Sequence, residues 1–169
     1  MTTSLNSSKP VLDQDGRSGQ SRIRTILTAD TTLTQEAHDG QVIGFNSLTG
    51  LTVTLPAATG TGMWFKFYVA VLATSGSYKI QVANATDFFV GEIMGARTDS
   101  GNAVLGFCPA NSGTVATNSD TITLNRTTTG SVNVGEWIEV QDVATATWHV
   151  KGMLTATGAA FATPFSAAV

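Results

Sequence analysis

The residues of this chain that could do acid, base or metal chemistry are few and widely spaced. Its two histidines, His38 and His149, lack the HxxxH type of ligand spacing. The single cysteine, Cys108, excludes an internal disulfide framework and a cysteine-based zinc site. No GxSxG sequence supplies a nucleophile. We therefore expect a protein that is not an enzyme, with no catalytic residue, no cofactor and no metal.

Two short motifs imitate ligand-binding loops but lack a defining part of each. The sequence DQDG at 13–16 resembles the start of a calcium loop, without the downstream glutamate that completes it. The sequence TGTGMW at 59–64 contains a GxG, but a strand pattern follows it where a phosphate-binding loop requires a helix. Neither motif predicts a ligand site.

Glu136 and Glu139 flank Trp137 in a segment with strand periodicity. Aromatic stacking together with carboxylate hydrogen bonds could hold a sugar. The same composition is also typical of a half-exposed strand face, and the sequence leaves both interpretations open.

The segment MWFKFYV, 63–69, carries aromatic residues on both faces of a predicted strand. Met63, Phe65, Phe67 and Val69 share one face, which suits a core. Trp64, Lys66 and Tyr68 share the other face, where the Lys stem can lie along the two rings. Trp and Tyr are enriched at protein contacts. We therefore predict that Trp64, Lys66 and Tyr68 form a self-interface.

Period-2 alternation runs through most of the chain from Ile43 onward, interrupted by turns rich in Gly, Ser and Thr. Examples are LTVTL, YKIQV, TITL, SVNVGEWIEV and TWHV. In SVNVGEWIEV the alternation predicts one shared face for Val132, Val134, Ile138 and Val140. Short strands at this spacing predict an all-β fold, an antiparallel β-sandwich or barrel that is jelly-roll-like. Helix should stay below about a tenth of the residues, with one turn expected near TLTQEAHDG, capped by Thr34 and ended by Gly40.

Three regions follow from composition. Residues 1–27 form an extended N-terminal arm, residues 28–155 the sandwich or barrel domain, and residues 156–169 a C-terminal tail of small residues. The arm holds Arg17, Arg22 and Arg24 in a chain that is otherwise poor in charge. It has no apolar pattern of its own, so we expect it to order against a partner.

Charged residues make up 12% of the chain, and about one residue in six is Thr. A surface with so few charges suits a protein that works inside an assembly. The net charge of -3 argues against nucleic acid as a partner. The chain has no run of about 18 apolar residues and no secretory signal pattern, so we expect no membrane association and synthesis in a cytoplasm.

The segment LTQEAHDGQVIGFNSLTGLTVTLPAATGTGMWFKFYV, followed by SYKIQV, resembles a pattern of small head decoration, or capsid cement, proteins of tailed bacteriophages. The resemblance covers about Leu33 to Gly95, somewhat more than a third of the chain. Similar TVTLPA modules also occur in phage fibre-like proteins.

The resemblance implies a structural virion protein, commonly a homotrimer, on the exterior of the capsid. Its partners would be the major capsid protein and other copies of itself. Arg17, Arg22 and Arg24 are then candidates for capsid contact. The alternative function is a carbohydrate- or receptor-binding module of a phage fibre.

Overall fold

The computed structural model describes residues 24–98, 103–114, 117–157 and 161–169. One α-helix and twelve strands are assigned within these residues. In chain order they are β1 (Arg24–Leu27), β2 (Thr31–Thr32), α1 (Gln35–His38), β3 (Gln41–Phe45), β4 (Leu51–Thr54), β5 (Trp64–Val69), β6 (Tyr78–Gln81), β7 (Phe88–Arg97), β8 (Val104–Phe107), β9 (Thr121–Leu124), β10 (Trp137–Ala144), β11 (Thr147–Ala156) and β12 (Phe165–Ser166).

These strands form two mixed sheets packed face to face, so the predicted all-β sandwich is confirmed. Over the described residues, the large sheet has seven strands in the order β1-β3-β5-β10-β11-β7-β8. The small sheet has five, in the order β12-β9-β6-β4-β2. Ring stacking joins the two layers, because Phe45 of β3 and Tyr78 of β6 have centroids 4.8 Å apart.

Strand direction differs from the antiparallel pairing predicted from the sequence. The first six strands alternate between the sheets, so that β1, β3 and β5 pair in parallel in the large sheet. In the same way β2, β4 and β6 pair in parallel in the small sheet. Period-2 alternation is identical in parallel and antiparallel strands, so it carries no information about direction.

The predicted core faces are confirmed along most strands. In β5, Phe65, Phe67 and Val69 are buried, and in β11 Trp148 and Val150 are buried while His149 and Lys151 are exposed. The predicted helical turn is also present as α1, where the Thr34 side chain accepts a hydrogen bond from the Ala37 N–H at 3.3 Å.

One predicted face is wrong. Val134 was expected to share an inward face with Ile138 and Val140, but it is 64% exposed and precedes β10 in a turn. The reason is Glu136, whose carboxylate holds the backbone of 131–133 in that turn. Extended pairing therefore begins at Trp137.

Residues at both ends of the described chain belong to the sandwich. Arg24–Leu27, which the sequence placed in the arm, is the edge strand β1. Phe161 and Phe165, from the segment read as a tail, are buried in the core, and β12 pairs with β9. Arg17 and Arg22 lie outside the described residues.

Candidate interaction face

The outward-facing side of the large sheet carries the residues predicted to form a self-interface. Trp64, Lys66 and Tyr68 do share one face of β5, opposite the buried Phe65 and Phe67. Trp64 is 36% exposed, while Lys66 and Tyr68 are half-buried by neighbouring strands. The strand register extends this face across the whole sheet, and we call it the outer face.

The middle of the outer face is a row of charged side chains that crosses successive strands. From β1 to β7 this charged row reads Arg24, Val42, Lys66, Glu139, Lys151, Glu92. Its last four members alternate in sign across strands β5, β10, β11 and β7. Opposite charges on adjacent strands stabilise the sheet, whereas like charges there would destabilise it.

Two contacts fix the centre of this row. The Nζ of Lys151 lies 2.8 Å from the Oε1 of Glu139. The Nζ of Lys66 lies 4.6 Å from the ring centroid of Trp137, which is a cation–π geometry. These contacts hold the cations of the row in place, so the row is an ordered pattern of charge.

A row of apolar side chains lies beside the charged row, two residues away along each strand. From β1 to β8 this apolar row reads Ile26, Gly44, Tyr68, Trp137, Met153, Met94, Gly106. Met94 is 43% exposed and Met153 is 47% exposed. Two neighbouring Met side chains beside two aromatic rings form a contiguous apolar patch, which marks a contact surface more often than an ordinary solvated one.

Tyr68 is held tightly in this row. A Cβ on Gly44 would lie 2.7 Å from the Tyr68 hydroxyl, so only glycine lets the ring lie against β3. Ile26 covers the same position from β1, and the Arg24 Cζ lies 5.8 Å from the ring centroid. The Tyr68 hydroxyl is buried and has no hydrogen-bond partner among the described residues.

The third row lies on the other side of the charged row. From β5 to β7 it reads Trp64, Gln141, His149, Val90. We call this the Trp64 row. Sequence reasoning found three residues of the outer face on β5, but it missed the continuation onto Trp137, Met153 and Met94, because register between distant strands leaves no local signal.

The sugar-binding interpretation loses one of its two carboxylates. Glu136 is 5% exposed and points away from the ring of Trp137, into a turn where it accepts backbone N–H bonds from Ser131, Val132 and Asn133. Burial raises the pKa of Glu136, and those bonds offset the increase only in part. Glu139 does share the outer face with Trp137, but it is paired with Lys151.

The GxG turn at 59–62 already holds an anion, which is the carboxylate of Asp142. Its oxygens accept bonds from the backbone N–H groups of Thr59 (3.1 Å), Gly60 (2.7 Å) and Thr61 (2.9 Å), and from the Thr61 hydroxyl (3.0 Å). Burial alone would raise the pKa of Asp142, but these four bonds outweigh it and hold the pKa below its usual value. The sequence did contain a signal for the inward position of this carboxylate, because period-2 alternation places Asp142 on the same face as Ile138 and Val140.

Other carboxylates of the described residues also accept backbone N–H bonds. The donors are Thr52 to Asp30, Trp64 to Asp39, Ala58 to Asp87, and Ala168 and Val169 to Asp120. Together with Glu136 and Asp142, six carboxylates therefore cap turns and chain ends, which is a structural use of their charge.

Across the described ranges, no three His, Cys, Asp or Glu residues lie close enough together to hold a metal ion. Within those same ranges, no helix is long and apolar enough to cross a membrane. Searches against protein-family models, curated proteins and solved structures find no match to this chain.

Proposed function

We propose that this chain is a structural virion protein that binds the outside of a phage capsid and stabilises the shell as a decoration protein. Its partners would be the major capsid protein and other copies of itself, and it would perform no catalysis. The resemblance of residues 33–95 to capsid cement proteins supports the proposal, as does the low charge content of the chain.

The structural observation that carries the proposal is the outer face of the large sheet. It is broad, it is built on regular strands, and it combines an apolar row with ordered charges. A surface of this kind suits another macromolecule, because a small ligand needs a concave site that surrounds it. A rigid β-sandwich presents such a face with little loss of entropy on binding.

Arg24 connects this face to the second candidate contact. It begins β1 at the edge of the large sheet, and its guanidinium lies over Tyr68. Residues before Arg24 are therefore attached beside the outer face. We propose that Arg17, Arg22 and Arg24 contact acidic or carbonyl groups of the capsid, for which the planar guanidinium is well suited.

Shell stabilisation would then follow from mass action. A protein that binds the mature shell but not its dissociated subunits raises the stability of the shell in proportion to the logarithm of its concentration. The resemblance implies a homotrimer, in which several capsid contacts would act together and raise the apparent affinity.

The proposal is tested by adding the purified protein to phage heads that lack decoration. We expect saturable binding and greater resistance of the heads to heat. Deletion of residues 2–22 leaves β1 intact and should weaken binding, as should changing Arg17, Arg22 and Arg24 together to Gln. Lys79→Gln is the matched control, because Lys79 is exposed on the small sheet.

Undiminished binding by the deletion variant would remove the arm from the proposal. Absence of binding to any decoration-free head, together with specific retention on a glycan array, would replace it with the fibre-module function. Copy number gives an independent measurement, since a decoration protein is present at hundreds of copies per virion and a fibre module at far fewer.

A further inference from the structure

The charged row of the outer face is self-complementary in one specific arrangement. We propose that two copies of this chain pack outer face against outer face, about a two-fold axis that runs parallel to the strands midway between β10 and β11. This contact does not rest on the proposed function; it would compete with capsid binding for the outer face, and it is an alternative to the homotrimer that the resemblance implies.

The argument begins with the four alternating charges Lys66, Glu139, Lys151 and Glu92, on consecutive strands. A two-fold axis parallel to the strands reverses the order of the row in the second copy. With the axis midway between β10 and β11, Lys66 faces Glu92 of the second copy, and Glu139 faces its Lys151. Each of the four charges then meets an opposite charge, and symmetry repeats each pair.

Other axes are disfavoured by the same charges. An axis along β10 would place Glu139 against itself, and an axis along β11 would place Lys151 against itself. A two-fold axis that runs along the charged row would place every charged residue opposite the same residue of the second copy. Like charges facing each other in a contact are strongly unfavourable, so the row excludes these arrangements.

The axis midway between β5 and β10 is the nearest competitor. It would pair Lys66 with Glu139 and Glu92 with Arg24, but it would place Lys151 over Val42. Lys151 would keep Glu139 of its own chain but would gain no opposite charge from the second copy. The axis between β10 and β11 gives each of the four central charges an opposite charge on the second copy.

The apolar row fits the same axis without adjustment. Trp137 then lies over Met153 of the second copy, and Tyr68 lies over its Met94. Thioether sulfur against an aromatic ring is a favourable contact. These Met side chains are among the most exposed large apolar groups of the face, and both would become covered. At each end of the overlap, Gly44 would face Gly106 of the second copy, with the Tyr68 ring and Ile26 lying over Gly44.

The Trp64 row is also matched. Trp64 would lie over Val90 of the second copy, and Gln141 over its His149, where an amide and an imidazole can share a hydrogen bond. One symmetry operation therefore pairs unlike charges, aromatic with aliphatic groups, and polar with polar groups in three independent rows.

The expected contact is small. Six overlapping strands about 4.8 Å apart and three rows about 6.8 Å apart cover roughly 500 Å² on each copy. The total of about 1,000 Å² is at the lower limit for a specific interface. We therefore expect a dimer that dissociates in the micromolar range, with the two sheets crossing at about 30° as aligned sheets do.

Sedimentation equilibrium of the full chain across micromolar concentrations tests the contact. We expect a monomer–dimer equilibrium, and Met153→Lys should weaken it about tenfold or more because it buries a charge against Trp137. Val134→Lys is the control, since Val134 is also apolar and 64% exposed but lies in the turn before β10 and belongs to none of the three rows. A monomer at all concentrations, a trimer, or a dimer unaffected by Met153→Lys would overturn the inference.

A charge exchange tests the position of the axis. Lys66→Glu and Glu92→Lys should each weaken association, because each creates two like-charge contacts. An equimolar mixture of the two variants should associate again, since the carboxylate introduced in one chain then faces the ammonium group introduced in the other. Circular dichroism verifies that each variant is folded. A mixture no tighter than the separate variants would rule out the axis between β10 and β11.

Discussion

The carboxylate of Asp142 accepts a hydrogen bond of 2.7 Å from the backbone N–H of Gly60, a residue 82 positions earlier in the chain. This bond joins the turn before β5 to strand β10, which pairs directly with β5. The turn that leads into β5, the strand that carries Trp64, Lys66 and Tyr68, is therefore fixed by a single buried side chain. Gly60 adopts φ of +78°, a conformation that favours glycine.

Asp142→Asn should destabilise the fold by about 3 kcal/mol or more, because hydrogen bonds to a charged acceptor contribute most and the amide NH2 of Asn replaces one of the two oxygens to which Thr59, Gly60 and Thr61 donate. Urea unfolding with an unchanged m-value measures this. Asp39→Asn is the control, since Asp39 is exposed and accepts one backbone N–H, from Trp64. A smaller loss for Asp142→Asn than for Asp39→Asn would contradict the assignment.

Asp142 also predicts how stability depends on pH. Its folded pKa lies below the ordinary value of 3.8, so its contribution is present above pH 3.8 and is lost as pH falls through the folded pKa. Glu136 has the opposite sign, because its pKa is raised and protonation therefore favours the folded state. Unfolding at a series of pH values should show the difference between wild type and Asp142→Asn shrinking in acid. A difference that is constant to the lowest pH would contradict this prediction.

Substitutions at Tyr68 can separate the effect of packing on folding stability from the effect of the outer face on self-association. Tyr68→Phe removes a buried hydroxyl that has no partner among the described residues, so we expect the unfolding free energy to be unchanged or slightly raised. Tyr68→Asp and Trp64→Asp each replace an aromatic ring of the outer face with a charge and should weaken self-association. Sedimentation of all three variants measures the effect. If both Asp variants associate as strongly as wild type, this part of the outer face takes no part in self-association.

Local pattern predicted the layers of the fold well. The alternation in β5 places Phe65 and Phe67 inward and Lys66 outward, and this depends on pleat geometry alone. The same geometry placed Trp64, Lys66 and Tyr68 together. The helical turn followed from Thr34, whose side chain caps the backbone of the next residues.

The sequence could not predict which residues of different strands lie side by side. The position of Trp137 beside Tyr68, and of Met153 beside Trp137, follows from register between strands far apart in the chain. The misplaced Val134 has a different cause. The carboxylate of Glu136 points inward and binds the backbone of the turn before it. In the sequence, Glu136 cannot be distinguished from an ordinary polar residue of an alternating strand.

Four of the six carboxylates that accept backbone N–H bonds are buried, and this has a consequence for ionic strength; they are Asp87, Asp120, Glu136 and Asp142. Dissolved ions screen exposed charges at a distance, but they screen buried, hydrogen-bonded charges much less. The stability of the sandwich should therefore change little as salt is added. The charged row on the outer face has no such protection until it is covered. Added salt should thus weaken contacts through that face while the protein itself stays folded, so salt concentration alone would separate assembly from folding.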